Sequence, residues 1–548
     1  MLISVINRIE EKKKKKKKKK MMLFTIFGLL LGLTTSNSLV DAVSYVVQET
    51  APQDAAPPIL SPFVSFSIEF VYFPDYAGNK TNPNAFSNQL LENLGEIQGL
   101  RPHIRVGGNT QDYALFNSSL KTSVNGTYIT SKSTDYPYII YIGPSYFESY
   151  LMWPNTKFSH GFNLAKNSSH DIQLLLESVP FACQALSHDN LLVWELGNEP
   201  DDYKNAIQGA LRPSNWTESD YVHEWLSRTA ALKKQMDIHC PHLADVKYMA
   251  PSFGGIDGSL AALTTWQNGL NDAGNIAFNT EHNYMGGADE PGVTLQKTLM
   301  NHTAVIQNAA QHVDFMNALK SDNLAPDIPY ILGETNSLYS EGRAGLSNSF
   351  GAALWGVDWN LYCASQGIRR IYMHQGTDYR YAAWQPISTN KTTIGTKAPY
   401  YGNAMVAAMT QGGDDVTIVN IPLEQDTESA YAAYVDGKVT RIAVINMVEF
   451  NYTSIESNSS SSRPKAQYSF KLPASFKSHQ ISVQRMMANG SDAVTGVTWG
   501  GFSYNYELEN GSPVRMKNVT NHETVQVDQD GMLMIDVPYS SAALVNLQ

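Results

Sequence analysis

Between about residues 60 and 400 one unit recurs, a short β-prone segment followed by a longer helical stretch. This alternation constrains the fold more than any other feature. The β-prone segments are 63–70 (FVSFSIEF), 103–106 (HIRV), 159–164 (SHGFNL), 191–196 (LLVWEL), 246–250 (VKYMA), 276–283 (IAFNTEHN), 329–333 (PYILG) and 368–374 (IRRIYMH). Strands separated by helices pair in parallel and need cover on both faces, and eight such units make an α/β fold, the (β/α)₈ or TIM barrel. Several segments end in polar residues: Glu69, Asn109, Asn198-Glu199, His282 to Tyr284, and Glu334. Active sites of such barrels are built at the C-terminal strand ends, so these residues are the place to look for chemistry.

With 548 residues the chain exceeds one barrel of about 250–350 residues. The texture changes near residue 406. Asp436-Gly437 sits between AYAAYV and KVTRIAVINM, and Asp530-Gly531 between TVQVDQ and MLMIDV. Each is a two-residue hairpin signal between strand-like runs. The Ser-rich stretch 458–462 reads as an exposed loop tip. The expected organisation is a barrel over 61–405 and a C-terminal all-β sandwich over 406–548. The β-prone piece 43–48, within an N-terminal segment 43–60, is placed to add a strand to that sandwich.

Residues 1–42 belong to neither module. A lysine run, Lys12 to Lys20, precedes the apolar stretch 23–33 (LFTIFGLLLGL). A basic region before about 7–15 apolar residues is a secretory signal, and eleven such residues fall short of the roughly 20 that span a bilayer. Small residues at Val40-Asp41-Ala42 place cleavage after Ala42, and the lysine run fits a start placed upstream of Met21 or Met22. Twelve Asn-X-Ser/Thr sequons, at Asn79, Asn117, Asn125, Asn167, Asn215, Asn301, Asn390, Asn451, Asn458, Asn489, Asn510 and Asn518, agree with a secreted, extracellular glycoprotein that has no membrane anchor once the signal is cut. Removing residues 1–42 takes away ten Lys/Arg and three Asp/Glu, leaving 30 basic against 48 acidic groups and a net charge of −18. That field repels polyanions, which argues against nucleic acid and densely sulfated glycans as partners. The three cysteines, Cys183, Cys240 and Cys363, allow at most one disulfide and fit no zinc pattern.

Two segments share a grammar. Residues 193–202 read VWELGNEPDD, and residues 330–339 read YILGETNSLY. In each an apolar strand runs into glycine and then glutamate, Glu199 and Glu334. Glycosidic bond hydrolysis needs two carboxyl groups flanking the anomeric carbon, held in environments different enough that one stays protonated. Asn198 is an uncharged donor beside Glu199. The acidic pair Asp201-Asp202 reads as solvated, His282 as either a structural or a ligand-facing residue, and Arg105 as either a site residue or a barrel ion-pair residue. The aromatic run 372–384, with Tyr379, Tyr381 and Trp384, suits a sugar platform or a barrel–sandwich seam. No phosphate loop, nucleophile elbow or metal-ligand cluster is visible, and chemistry by two carboxylates needs no cofactor and no metal.

These segments resemble known hydrolases. Leu196-Gly197-Asn198-Glu199-Pro200 resembles the Asn-Glu-Pro signature of clan A glycoside hydrolases, whose glutamate at the end of strand four is the acid/base. Leu332-Gly333-Glu334-Thr335-Asn336-Ser337 resembles the strand-seven nucleophile segment of glycoside hydrolase family 79, which contains β-glucuronidases and heparanases. Ile104-Arg105-Val106-Gly107-Gly108-Asn109, Ser67-Ile68-Glu69 and His282-Asn283-Tyr284 resemble that family's segments at strands two, one and six. The likeness runs from about residue 60 to the end, since the family also carries a C-terminal β-sandwich.

The resemblance implies Glu199 as acid/base and Glu334 as nucleophile. It implies that Asn198 binds the hydroxyl beside the reacting carbon, that Arg105 and Tyr284 hold the nucleophile, and that Glu69 and Asn109 contact the terminal sugar. His282 would support the site. The loop Ser337-Leu338-Tyr339 would take a uronic acid carboxylate through backbone N–H groups and the Tyr339 hydroxyl. The expected activity is a secreted retaining exo-hydrolase that removes terminal β-linked glucuronic acid, or its 4-O-methyl form, from a glycan. The alternatives are an endo-acting heparanase-like enzyme, a clan A glycosidase for a neutral sugar, and a non-catalytic glycan-binding protein. The acidic charge disfavours the first, and the presence of both carboxylates disfavours the last.

Overall fold

A computed structural model of the protein describes residues 44–206, 209–454 and 462–548. The signal-like segment and the lysine run lie outside the described residues, as do residues 458–461 of the Ser-rich stretch. Eight strands, β1 (Val64–Glu69), β2 (Ile104–Gly107), β3 (Phe158–Phe162), β4 (Leu191–Leu196), β5 (Tyr248–Phe253), β6 (Ile276–Tyr284), β7 (Tyr330–Asn336) and β8 (Ile371–Gln375), form a closed parallel barrel. Each strand pairs with its neighbours in the chain, and β8 closes on β1. All eight overlap the β-prone segments, with ends displaced by up to three residues.

The longer helices between the strands start where the sequence supplies a cap. Asn84, Ser168, Thr217, Asn301 and Ser349 each accept a hydrogen bond from the first turn of the helix they precede, which satisfies one of its orphan N–H groups. One connection departs from the alternation. After β2 the long helix is replaced by a small three-stranded sheet (Ala114–Phe116, Val124–Thr127, Ile139–Ile142) and a 3₁₀ stretch, Pro144–Leu151. Pro137 and Pro144 and the β-branched residues around Ile139–Ile142 suit this better than a helix. The loop 128–138 reaches over the mouth of the barrel from here, and Arg380 holds Asp135 within it at 2.7 Å.

The last barrel helix, Ala398–Met409, runs a few residues past the expected boundary. Beyond it an antiparallel sheet begins with Val416–Ile421, Glu428–Val435 and Lys438–Asn446. Asp436-Gly437 forms the two-residue turn between the last two, both residues at positive φ. Asp530-Gly531 also turns the chain, but the strands flanking it join different sheets. Glu523–Gln526 pairs with Gln480–Met487, and Met532–Pro538 with Lys465–Lys471. A β-turn dipeptide fixes only the local reversal, and ladder partners are set by which faces are apolar. Ser44–Val46 pairs in parallel with Lys465–Lys471, so the N-terminal segment is part of the second sheet. Between the two sheets lie Ile442, Val444, Phe470, Leu533, Ile535, Val537, Ala543 and Val545.

Cys183, on the helix Ser169–Leu186, is bonded to Cys240 at the end of the helix Glu218–His239, which ties two barrel helices together. Cys363 is a buried thiol. The seam between barrel and sandwich carries a buried polar cluster. Asp358 accepts from the Tyr431 hydroxyl at 2.6 Å and meets His302 Nδ1 at 3.0 Å, joining two barrel helices to a sandwich strand. Among the described residues no helix is long and apolar enough to cross a membrane.

Candidate active site

The C-terminal ends of the strands open into a cleft of about 620 Å³ lined by Glu69, Asn109, Glu199, His282, Tyr284, Glu334, His374 and Tyr379, among others. Glu199 stands at its centre because the chain turns abruptly after β4. Gly197 adopts φ +82°, and Glu199 itself lies in the left-handed region at φ +48° before Pro200 opens a 3₁₀ turn. A non-glycine residue held there marks a site where the surroundings enforce the conformation. The Glu199 N–H donates to the Ser252 carbonyl at 2.8 Å, which anchors the corner to β5.

Glu334 extends from β7 opposite. One carboxylate oxygen each from Glu199 and Glu334 and a ring nitrogen of His282 all lie within 4.8 Å of one another. Register sets the surroundings. Arg105 is level with Ser67, Ser67 with His374, and His282 with Glu334. Arg105 Nη1 donates to Glu334 Oε2 at 2.7 Å, and the Tyr284 hydroxyl donates to Oε1 at 2.7 Å. His282 Nδ1 is 2.8 Å from Glu199 Oε1.

The two carboxyl groups are pushed in opposite directions. Burial raises the pKa of Glu199 well above the carboxylate range, and the charges of Glu334, Asp202 and Asp201 raise it further. Burial opposes ionisation of Glu334 as well. There, however, His374, His282 and Arg105, with the Tyr284 hydroxyl, outweigh it and hold the group below the usual range. Burial keeps His282 neutral, with a pKa lowered to about 3. One protonated acid thus faces one charged nucleophile across less than 5 Å.

Asn198 is buried, with its N–H on Asp112 Oδ2, its side-chain oxygen accepting from Arg105 Nη2 at 2.7 Å, and its amide donating to Asn109. Glu69 accepts from the Thr110 N–H and hydroxyl and from the Tyr379 hydroxyl. Glu69, Asn109, Tyr284 and Tyr339 all line the cleft, and His282 lines it too while bonded to Glu199.

Several expectations change. Ser337 is fully buried, its N–H is held by Asn336 Oδ1, and it does not line the cleft. Leu338 is likewise buried, and the Tyr339 N–H donates to the Gly286 carbonyl. Two of the three loop N–H groups proposed for a substrate carboxylate are therefore already paired, one with the last side chain of β7 and one with the segment after β6. What the loop offers is the half-exposed Tyr339 side chain. Asp201 is not solvated. It is 2% exposed and accepts the Gly254 N–H at 2.9 Å, and burial and then Asp202 raise its pKa to about 8. The aromatic run divides: Tyr379 and Tyr381 line the cleft, while Trp384 is buried against Phe66 and Tyr76.

Comparison with known proteins places this site in a family. The glycosyl hydrolase family 79 C-terminal beta domain matches residues 430–544. A β-glucuronidase of Aspergillus niger is 60% identical over 535 residues, 95% of this chain and 99% of that protein. The chain belongs to glycoside hydrolase family 79. A β-glucuronidase of Neurospora crassa is 48% identical over 521 residues, 90% of this family 79 hydrolase and 92% of its relative. The fold is shared with a 4-O-α-L-rhamnosyl-β-D-glucuronidase from Fusarium oxysporum (TM-score 0.73, 23% identity, covering 92% of this chain and 100% of that one). A family 51 α-L-arabinofuranosidase from Bifidobacterium longum shares it more distantly (TM-score 0.56, 13% identity, 92% and 98% covered).

The family 79 site also holds residues that strand-end reasoning passed over. Glu195, four residues before Glu199, is fully buried and paired with Arg105 through Nε at 2.9 Å. A charged residue inside an otherwise apolar strand was the available signal. Asp112 accepts the N–H groups of Leu164 and Asn198 and the Tyr203 hydroxyl, joining the loops after β2, β3 and β4. His374, in β8, lies 3.5 Å from both Glu69 and Glu334.

Proposed function

We propose that this hydrolase is a secreted, retaining exo-β-glucuronidase that releases terminal β-linked glucuronic acid, or its 4-O-methyl form, from glycans. The observation that carries the reading is the pair of oppositely tuned carboxyl groups within 4.8 Å. Retaining enzymes hold their carboxyl groups about 5–5.5 Å apart, whereas inverting ones need about 6.5–9.5 Å to admit water. In the first step Glu334 attacks the anomeric carbon as the bond to the leaving oxygen breaks, and Glu199 gives its proton to that oxygen. In the second, Glu199 takes a proton from water, which attacks the same carbon and releases Glu334 as carboxylate. Two inversions return the β configuration.

The sugar assignment rests on the names of the two relatives and on a cleft rich in buried hydroxyl donors. Burial raises the pKa values of Tyr284, Tyr379 and Tyr381, and nearby carboxylates raise them further, so all three stay protonated. Exo action is supported by loop 128–138, whose Tyr136 lines the cleft and whose Asp135 is fastened by Arg380. Secretion is supported by the basic–apolar N-terminus and the twelve sequons.

A panel of matched aryl β-glycosides tests the reading. A neutral sugar leaves any donor aimed at the uronate carboxylate poorly paired, at about 1–3 kcal/mol each, so with two such donors kcat/KM for the glucuronide should exceed that for the glucoside at least about 100-fold. Tyr339→Phe should narrow the gap by weakening the glucuronide alone. Glu334→Gln should abolish turnover of every substrate, and Glu199→Gln should spare substrates whose leaving group needs no proton. Equal rates on glucuronide and glucoside would end the uronidase assignment. An α-anomer as first product by proton NMR would end the retaining one.

A further inference from the structure

Arg105 is bonded through all three of its guanidinium nitrogens, and only part of that bonding serves the nucleophile. Nη1 donates to Glu334 Oε2 at 2.7 Å and to Ser67 Oγ at 2.9 Å, and Nη2 to Asn198 Oδ1 at 2.7 Å. Nε faces both oxygens of Glu195, at 3.1 and 2.9 Å. Arg105 and Glu195 are both fully buried, and the Ser252 hydroxyl donates to Glu195 Oε1 at 2.6 Å. Gly107 makes room for the pair, since a Cβ there would lie 2.8 Å from Glu195 Oε2 and 2.9 Å from Arg105 Cζ. One buried cation is thus shared by two buried carboxylates, and only Glu334 reaches the cleft.

Two counter-charges on one arginine make sense once the reaction is followed through. When Glu334 attacks, its negative charge is used to form the bond to the anomeric carbon, and the glycosyl-enzyme carries a neutral ester in its place. If Glu334 were the sole partner of Arg105, every turnover would leave an unpaired cation in a water-excluded barrel. Stripping one partner from a buried ion pair is among the costliest single changes a protein core can undergo. We propose that Glu195 is a positioning residue that keeps Arg105 charge-paired through the covalent intermediate. Glu334 can then give up its charge without stranding the guanidinium that orients it. This rests on the retaining reading above.

The two half-reactions separate this role from a structural one. In Glu195→Gln the amide oxygen can still accept from Nε, but the counter-charge that takes no part in bond formation is gone. Formation of the glycosyl-enzyme then loses the pairing of Arg105, and its hydrolysis regains it. A 2-deoxy-2-fluoro-β-glucuronosyl fluoride reports both: the first-order rate of inactivation measures formation, and the rate of reactivation after removal of excess reagent measures hydrolysis. Neither first-order rate depends on what fraction of the preparation is folded. Inactivation should slow roughly 100-fold, as expected for loss of one partner of a buried pair, while reactivation stays the same or quickens. Glu195→Asp keeps the charge, so its ratio of the two rates should lie close to wild type even if both fall. Equal slowing of both steps in Glu195→Gln, or no change in either, would overturn the proposal. If wild-type enzyme is not trapped at Glu334 at all, the retaining reading fails instead.

Discussion

Removing one oxygen atom from Tyr284 isolates the hydrogen bond that holds the nucleophile from the arginine that also holds it. In Tyr284→Phe the ring keeps its place beside Tyr381, with centroids 6.1 Å apart, and Arg105 keeps Glu334 Oε2. The 2.7 Å bond to Oε1 is lost, and with it the hydrogen bond between Tyr284 and Tyr381. A hydrogen bond to a charged group is worth about 1.5–3 kcal/mol. It favours the ionised form, so its loss raises the pKa of Glu334 by about 1–2 units at 1.36 kcal/mol per unit. The acid limb of the kcat/KM profile, where Glu334 must be charged, should move to higher pH by that amount. The same bond stabilises Glu334 as it departs in the second step. Hydrolysis of the glycosyl-enzyme should therefore slow about 10–100-fold, and a burst of leaving group should appear with activated aryl glucuronides. Stopped-flow release of the aryl group gives both quantities when followed from about pH 7 down to the lowest pH at which the enzyme stays folded, because the wild-type limb lies below the usual carboxylate range. If the acid limb stays in place and kcat changes less than about twofold, the hydroxyl does not tune the nucleophile and the account of the site's electrostatics is wrong.

Two further outcomes follow from the seam and the N-terminus. In the seam cluster, burial opposes the charge on His302 but Asp358 more than offsets it, so the folded-state pKa is raised. A raised histidine pKa adds stability that is complete below the unfolded value and is lost as pH rises through the folded value. Asp358→Asn should thus lower stability by about 1–3 kcal/mol in acidic solution, with the deficit shrinking above neutral pH, as thermal melts at pH 5 and pH 8 would show. Secreted material should begin near Val43 and carry N-glycans, and N-terminal sequencing that finds the lysine run in the mature chain would refute the proposed route.

The barrel was legible because its signal is redundant. Eight apolar segments with helices between them leave a parallel closed sheet as the economical arrangement, and Glu199 and Glu334 announce themselves by ending two of those segments after glycine. The connection after β2 was not legible at this level. No helix period marks or contradicts it until proline and β-branched residues are weighed over residues 137–144. The turn at Asp530-Gly531 shows a different limit. The dipeptide is local chemistry, whereas the partners of Glu523–Gln526 and Met532–Pro538 depend on apolar faces contributed by strands 40 to 73 residues away.

The substrate-facing loop was misread for a reason that applies to any backbone donor. A sequence shows that Ser337, Leu338 and Tyr339 possess N–H groups, but whether a donor is available is a property of the fold. Here Asn336 and Gly286 have taken two of them. Buried donors are nearly always paired inside the protein, so a loop beside a catalytic residue should be expected to have spent its N–H groups on its own structure. Side chains at the cleft wall are therefore the better sequence-level candidates for specificity. Tyr339 fits that description, since it lines the cleft with a half-exposed side chain that carries a hydroxyl, whereas the Tyr379 hydroxyl is already on Glu69. Glu195 is the complementary case. Its charge lay in plain view within LLVWEL, yet a residue facing the barrel interior gains meaning only when the cation it faces is known. Strand alternation could have paired it with Arg105, since both must point into the same interior where no lone charge is tolerated. Reading inward-facing charges for mutual neutrality, before assigning any of them to a substrate, would have recovered the Arg105–Glu195–Glu334 triad from the sequence.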